Sequence, residues 1–199
     1  MRVCWRVVII LSMLIGVFVV VRQAAGYGEP PARAILDVAG CAHPCWNGLR
    51  PNQTTIQEAH ARLSADARFV ITGISRTELC WRILAGPFQG GCAYSWRDLG
   101  SNNDRIEIIN LFAHPGAFWL GDAVLAFGPP TAHMLPCGLI NGNVYFQGNV
   151  IAIVAPGTTR FGPETAVEYL SYVTTATPWF SRNAPPWRGF IRGSHGRAC

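Results

Sequence analysis

The chain has 199 residues, of which only 14% are charged, well below the roughly 25% usual for soluble domains. Its 21 Gly and 14 Pro point to many turns and short elements. The formal net charge is +5, yet Arg2, Arg6 and Arg22 flank a single apolar run, so 13 Arg face 11 acidic residues elsewhere, a net of +2 that excludes a nucleic-acid footprint.

The apolar run is "VVIILSMLIGVFVVV", residues 7–21. Its length lies at the top of the signal-peptide range and just below a comfortable membrane span. We read residues 1–26 as an N-terminal transmembrane anchor or a signal peptide cleaved near Gly26, where "AAG" offers a small-residue site. Arg2 and Arg6 against Arg22 place the N-terminus inside. The rest is then exported, on a single-pass membrane protein with its C-terminal domain outside, or secreted.

Residues 27–40 carry Pro-Pro and small side chains and read as a tether. "GCAHPCWNGLRPNQTT" follows, and then "TTIQEAHARL". Thr55 with Glu58 three residues on is a capping-box pattern, and Ile56, Ala59 and Leu63 share one helical face. Four strand-like segments come next: "RFVITGIS", "ELCWRIL", "GCAYSWRD" and "DRIEIINLF". In the last, Ile106 and Ile108 alternate with Arg105 and Glu107.

A second helix is predicted in "WLGDAVLAFGPP", where Leu120, Ala123, Val124 and Phe127 fall on one face and Gly-Pro-Pro stops it. "HMLPCGLI", "NVYFQGN", "VIAIVAPG" and "AVEYLSYV" then read as strands, with hairpin turns at Asn141-Gly142 and Gln147-Gly148-Asn149. Laying 55–63 over 119–127 matches Ile56 with Leu120, Glu58 with Asp122 and Ala59 with Ala123. The expected fold class is therefore α+β: two tandem short-helix plus antiparallel-sheet units after an N-terminal membrane helix. The exported domain spans 41–177, with pseudo-repeats at about 41–112 and 113–177. Residues 178–199 form a basic aromatic tail.

"WLGDAVLAFGPP" resembles the short-helix motif of the BamE/SmpA-type lipoproteins, and "GLRPNQTTIQEAHARL" looks like a divergent first copy. Paired units of this kind are similar to the architecture of β-lactamase inhibitor proteins. "PCWNGLRPNQTT" resembles a motif, PCW-x-G-(I/L)-x-P-x-x-TT, of uncharacterised exported bacterial proteins. The resemblance implies an interaction module on the bacterial envelope and brings no catalytic residues with it.

Outside the apolar run lie six cysteines: Cys41, Cys45, Cys80, Cys92, Cys137 and Cys199. An even number in an exported chain suggests disulfides. Cys80 and Cys92 flank a Gly/Pro loop centred near Pro87, so a hairpin would bring them opposite each other. Cys41–Cys45 can close only in a turn, and Cys137–Cys199 is the remaining pair. Val38-Ala39-Gly40-Cys41 has the letters of a lipobox but sits about 20 residues beyond the apolar run, where the peptidase would not reach it.

The trio Cys41, His43 and Cys45 is the alternative chemical centre, a soft set suited to copper or zinc. It lacks the second spaced pair of a closed zinc site. Ser95, Ser101, His114 and Asp122 combine into a hydrolase triad only on paper, with no nucleophile elbow. Trp46, Trp81, Trp96 and Trp119 are assigned to the core, whereas Trp179, Phe180, Trp187 and Phe190 either cover a sheet face or form an exposed patch. The expected function is a non-catalytic protein-interaction or structural module that needs no cofactor. Its partner is an envelope protein or cell-surface component, and residues 7–21 supply the membrane contact. Copper or thiol handling at Cys41 and Cys45 is the alternative, and hydrolysis a distant one.

Overall fold

The computed structural model describes Met13, Leu36, Cys41, residues 44–95, 104–134, 141–155, Thr158, 161–174, Ala184 and 186–190. The chain divides into two compact units, Met1–Pro31 and Ala32–Cys199. The expected membrane span at 7–21 lies, apart from Met13, outside the described residues. Among the described residues, no helix is long and apolar enough to cross a membrane.

Within the second unit, residues 46–49 form a turn not expected from the sequence. Asn47 and Gly48 both adopt positive φ, 48° and 73°. Trp46 and Leu49 exchange backbone hydrogen bonds of 3.0 and 2.8 Å across them. That is the two-residue hairpin geometry Asn-Gly favours. A Cβ on Gly48 would run into the Arg62 guanidinium.

Helix α1 (Ile56–Ser64) follows. The Thr55 hydroxyl accepts from the Glu58 amide at 3.2 Å, and the Thr55 amide donates to the Glu58 carboxylate at 2.8 Å. These bonds from Thr55 hold the Glu58 carboxyl below its usual range. Ile56, Ala59 and Leu63 are buried against strands β1 (Phe69–Ile74) and β2 (Glu78–Ile83). Strand β3 (Phe88–Tyr94) turns back through Pro87, and β4 (Ile108–Ala113) completes a meander. Regular pairing in "DRIEIINLF" begins only at Ile108. Upstream, the Ile106 amide bonds the Thr54 carbonyl and the Ile56 amide bonds the Asp104 carbonyl, which ties this stretch to the start of α1.

Helix α2 (Leu120–Phe127) precedes β5 (Ala132–Met134), β6 (Gly142–Phe146), β7 (Val150–Val154) and β8 (Val167–Val173). The Trp119 amide donates to the Asp122 carboxylate at 2.9 Å, so Asp122 stands to Trp119 as Glu58 stands to Thr55. Gly142 pairs with Val154 inside β6, so Asn141-Gly142 is not the hairpin turn expected there. The β6–β7 turn does fall at Gln147-Gly148-Asn149, with positive φ at Gly148 and Asn149.

The expected α+β class, two tandem units following a membrane helix, is corrected. Among the described residues, eight strands form one continuous antiparallel sheet in the order β1-β2-β3-β4-β8-β7-β6-β5, with helices α1 and α2 of nine and eight residues beside it. The physical cause is the β4–β8 ladder, five paired positions from Ile108↔Val173 to Phe112↔Tyr169. It joins the last strand of each meander and leaves neither sheet a free inner edge. Ile109, Leu111, Leu170 and Tyr172 consequently belong to a single core.

Strand alternation gives this sheet two faces. One is packed by Trp81, Phe88, Leu111, Leu170, Val144 and Phe146. On the other, one row of register partners crosses the sheet: Cys80, Cys92, Asn110, Ser171, Ile151, Tyr145 and Ala132. Within that row the Ser171 hydroxyl donates to the Asn110 side-chain oxygen at 2.5 Å.

Candidate functional site: an apolar groove beside the second helix

"LGDAVLAF" is apolar on nearly every side, so a helix of this sequence cannot hide all of it. Leu120 and Ala123 are buried in α2. Trp119 and Leu125 point the other way and are 39% and 70% exposed. The segment 161–166 runs along the helix start, where the Leu120 amide bonds the Thr165 carbonyl at 2.8 Å and the Gly121 amide bonds the Pro163 carbonyl at 2.9 Å.

Between helix and segment lies a groove of about 560 Å³, lined chiefly by Trp119, Val124, Leu125, Pro163 and Phe190. Among the described residues, Asp122 and Glu164 are the charged residues of its lining, with no basic residue beside them. Asp122 already accepts the Trp119 amide; Glu164 is exposed. Such a lining can take up an apolar side chain and attract a cation beside it. Among the described residues of its lining, no nucleophile is paired with a base.

Two expectations change here. Trp119, assigned to the core, is at the surface. The tail aromatics divide: Phe190 is 44% exposed and lines the groove, whereas Trp187 packs edge-on to His133 at 5.6 Å and against Phe161 at 6.0 Å. Trp179 and Phe180 lie outside the described residues, as does Trp96. Leu125 was missed altogether, although an apolar residue off the predicted buried face was the available signal.

His133 shows how the 186–190 segment is held. The His133 ring is buried between Phe161 and Trp187, and its Nδ1 has no hydrogen-bond partner among the described residues. Desolvation, with Arg188 adding to it, pushes the imidazole pKa down. The unfolded chain therefore binds the proton more readily than the folded one. Stability is expected to be level above the ordinary imidazole range and to fall as pH drops through about 6.5. It levels off again below the depressed folded value. Urea midpoints across this range should show the decline in the native chain and lose it in His133→Phe; an unchanged profile in the variant would assign the decline elsewhere.

Among the described residues, the cysteines form two pairs. Cys41 is bonded to Cys45, with Cα atoms 5.7 Å apart, and Cys80 to Cys92, at 4.1 Å. The second pair follows directly from the register, in which Cys80 faces Cys92. With their sulfurs joined, Cys41 and Cys45 present no thiolates. His43, Cys137 and Cys199 lie outside the described residues.

The paper triad is dispersed. The His114 amide bonds the Pro87 carbonyl at 2.8 Å, at one end of β3, while Ser95 follows the other end. The eight residue steps from Pro87 to Ser95 span about 26 Å of strand. Asp122 belongs to the cap of α2, and Ser101 lies outside the described residues.

No family model, curated protein or solved structure matches the chain.

Proposed function

We propose that this chain is a non-catalytic protein-interaction module of the bacterial envelope, exported behind residues 7–21 as a membrane-anchored or secreted protein. Its docking place is the groove beside α2, which receives a protein segment bringing an apolar side chain with a basic residue next to it. The observation that carries this reading is the grouping of Trp119, Leu125 and Phe190, three large exposed hydrophobics around one concavity whose charged residues, among those described, are the acidic Asp122 and Glu164. Clustered exposed apolar side chains are uncommon on a surface with no partner. Two disulfides support an oxidising compartment. The resemblance to BamE/SmpA-type lipoproteins, carried by "WLGDAVLAFGPP", agrees with an envelope role.

Photocrosslinking tests the proposal. With a benzophenone side chain at Leu125, in envelope membranes, we expect a discrete crosslinked partner that is lost when Phe190→Asp is added. The same probe at Gln57, on the exposed side of α1, should capture nothing comparable. Equal products from both positions, or none from Leu125, would remove the groove as the docking place.

A further inference from the structure

We infer that Glu78, Cys80 and Cys92 form a zinc site that is closed by the Cys80–Cys92 disulfide and opened by its reduction. The inference is independent of the groove, since these residues lie on β2 and β3 and line no part of it.

Antiparallel pairing sets Cys80 directly opposite Cys92. Glu78 precedes Cys80 by two residues and so shares its face of the strand. The Glu78 Oε1 atom is 3.3 Å from Cys80 Sγ. One carboxylate oxygen and the two sulfurs all lie within 4.8 Å of one another. Tetrahedral zinc, with Zn–S near 2.3 Å and Zn–O near 2.0–2.2 Å, places such ligand atoms roughly 3.3–3.8 Å apart. The Glu78–Cys80 spacing already matches that range, and the two sulfurs can reach it once the bond between them is broken. Tyr94, the register partner of Glu78, lies beside that carboxylate.

The donor set selects the metal. Two thiolates with one carboxylate suit zinc, whereas Cu(I) prefers sulfur alone. A fourth position is left for water. A dithiol reductant opens the site by thiol–disulfide exchange. It transfers two electrons and two protons to Cys80 and Cys92 and leaves as its own disulfide. Zinc then binds both sulfurs as thiolates and releases two protons.

The test is zinc titration of the full chain before and after reduction with a water-soluble phosphine, which takes the oxygen of one water as it converts the disulfide to two thiols. Other cysteines are reduced as well, so the comparison is between variants. The reduced native chain should bind one more zinc per chain than reduced Cys80→Ser/Cys92→Ser. Glu78→Gln should weaken that zinc at least tenfold, and it keeps the disulfide, so it decides the matter where the double variant fails to fold. The inference is overturned by any of three results: the double variant binding as much zinc as the native chain, Glu78→Gln titrating like it, or the oxidised chain binding zinc as tightly as the reduced one.

Discussion

Trp46→Ala is expected to lower the free energy of unfolding by about 3–5 kcal/mol, the range for removing a fully buried large aromatic. Trp46 is 0% exposed. Its ring stacks on Trp81 with centroids 5.2 Å apart and planes 13° from parallel, and it meets Phe69 edge-on at 5.6 Å. It therefore bridges the Asn47-Gly48 turn to both β1 and β2. Alanine keeps the backbone pairing with Leu49, so the loss is one of packing and of the cavity left behind. Trp46→Phe should cost distinctly less. The indole Nε1 is buried without a partner among the described residues, and phenylalanine removes that unsatisfied donor along with part of the ring. Urea unfolding followed by circular dichroism measures both. A loss below about 1 kcal/mol for Trp46→Ala would mean that the site collapses freely, against the close packing argued here.

What the sequence revealed was local. Thr55 and Glu58 are three residues apart, and the cap they form depends on nothing beyond the first helical turn. Cys80 and Cys92 are joined by one short loop, so their pairing could be read from spacing. The β4–β8 ladder could not: Asn110 and Ser171 are partners across 61 residues, and no pattern in either strand names the other. This one long-range pairing turns two sheets into one, and its omission accounts for the mistaken fold class. Turn chemistry was ambiguous for a related reason. Asn47-Gly48 and Asn141-Gly142 carry the same dipeptide, but Trp46 and Leu49 pair across the first, whereas Asn143 after the second pairs with Met134 and Ile153. The outward side of α2 was obscured by composition. When nearly every residue of a helix is apolar, periodicity cannot say which ones stay in water, and Trp119 and Leu125 were settled by where segment 161–166 lies.

Gly91→Ala is expected to destabilise the fold by about 1–3 kcal/mol, and Gly91→Val by more, because the space for a side chain is already taken. Gly91 lies in β3 between Trp81 on β2 and Leu111 on β4. A Cβ there would stand 2.5 Å from the Asn110 carbonyl oxygen, 2.7 Å from Trp81 Cζ2 and 3.0 Å from Leu111 Cδ2. The first of these is backbone within the β3–β4 ladder, and it cannot retreat without lengthening ladder hydrogen bonds. The second is the ring on which Trp46 stacks, so displacing it spreads the damage into the same core cluster that Trp46→Ala opens. Trimming the ring with Trp81→Phe should recover only part of the loss, since the carbonyl contact remains. Gly73→Ala is the matched control. It lies in the edge strand β1 with nothing within 4 Å of the added carbon, and its effect should stay within about 0.5 kcal/mol. Equal urea midpoints for Gly91→Ala and Gly73→Ala would show that β3 can shift to admit a methyl group. The tight β2–β3–β4 packing that fixes Cys80 opposite Cys92 would then be looser than drawn.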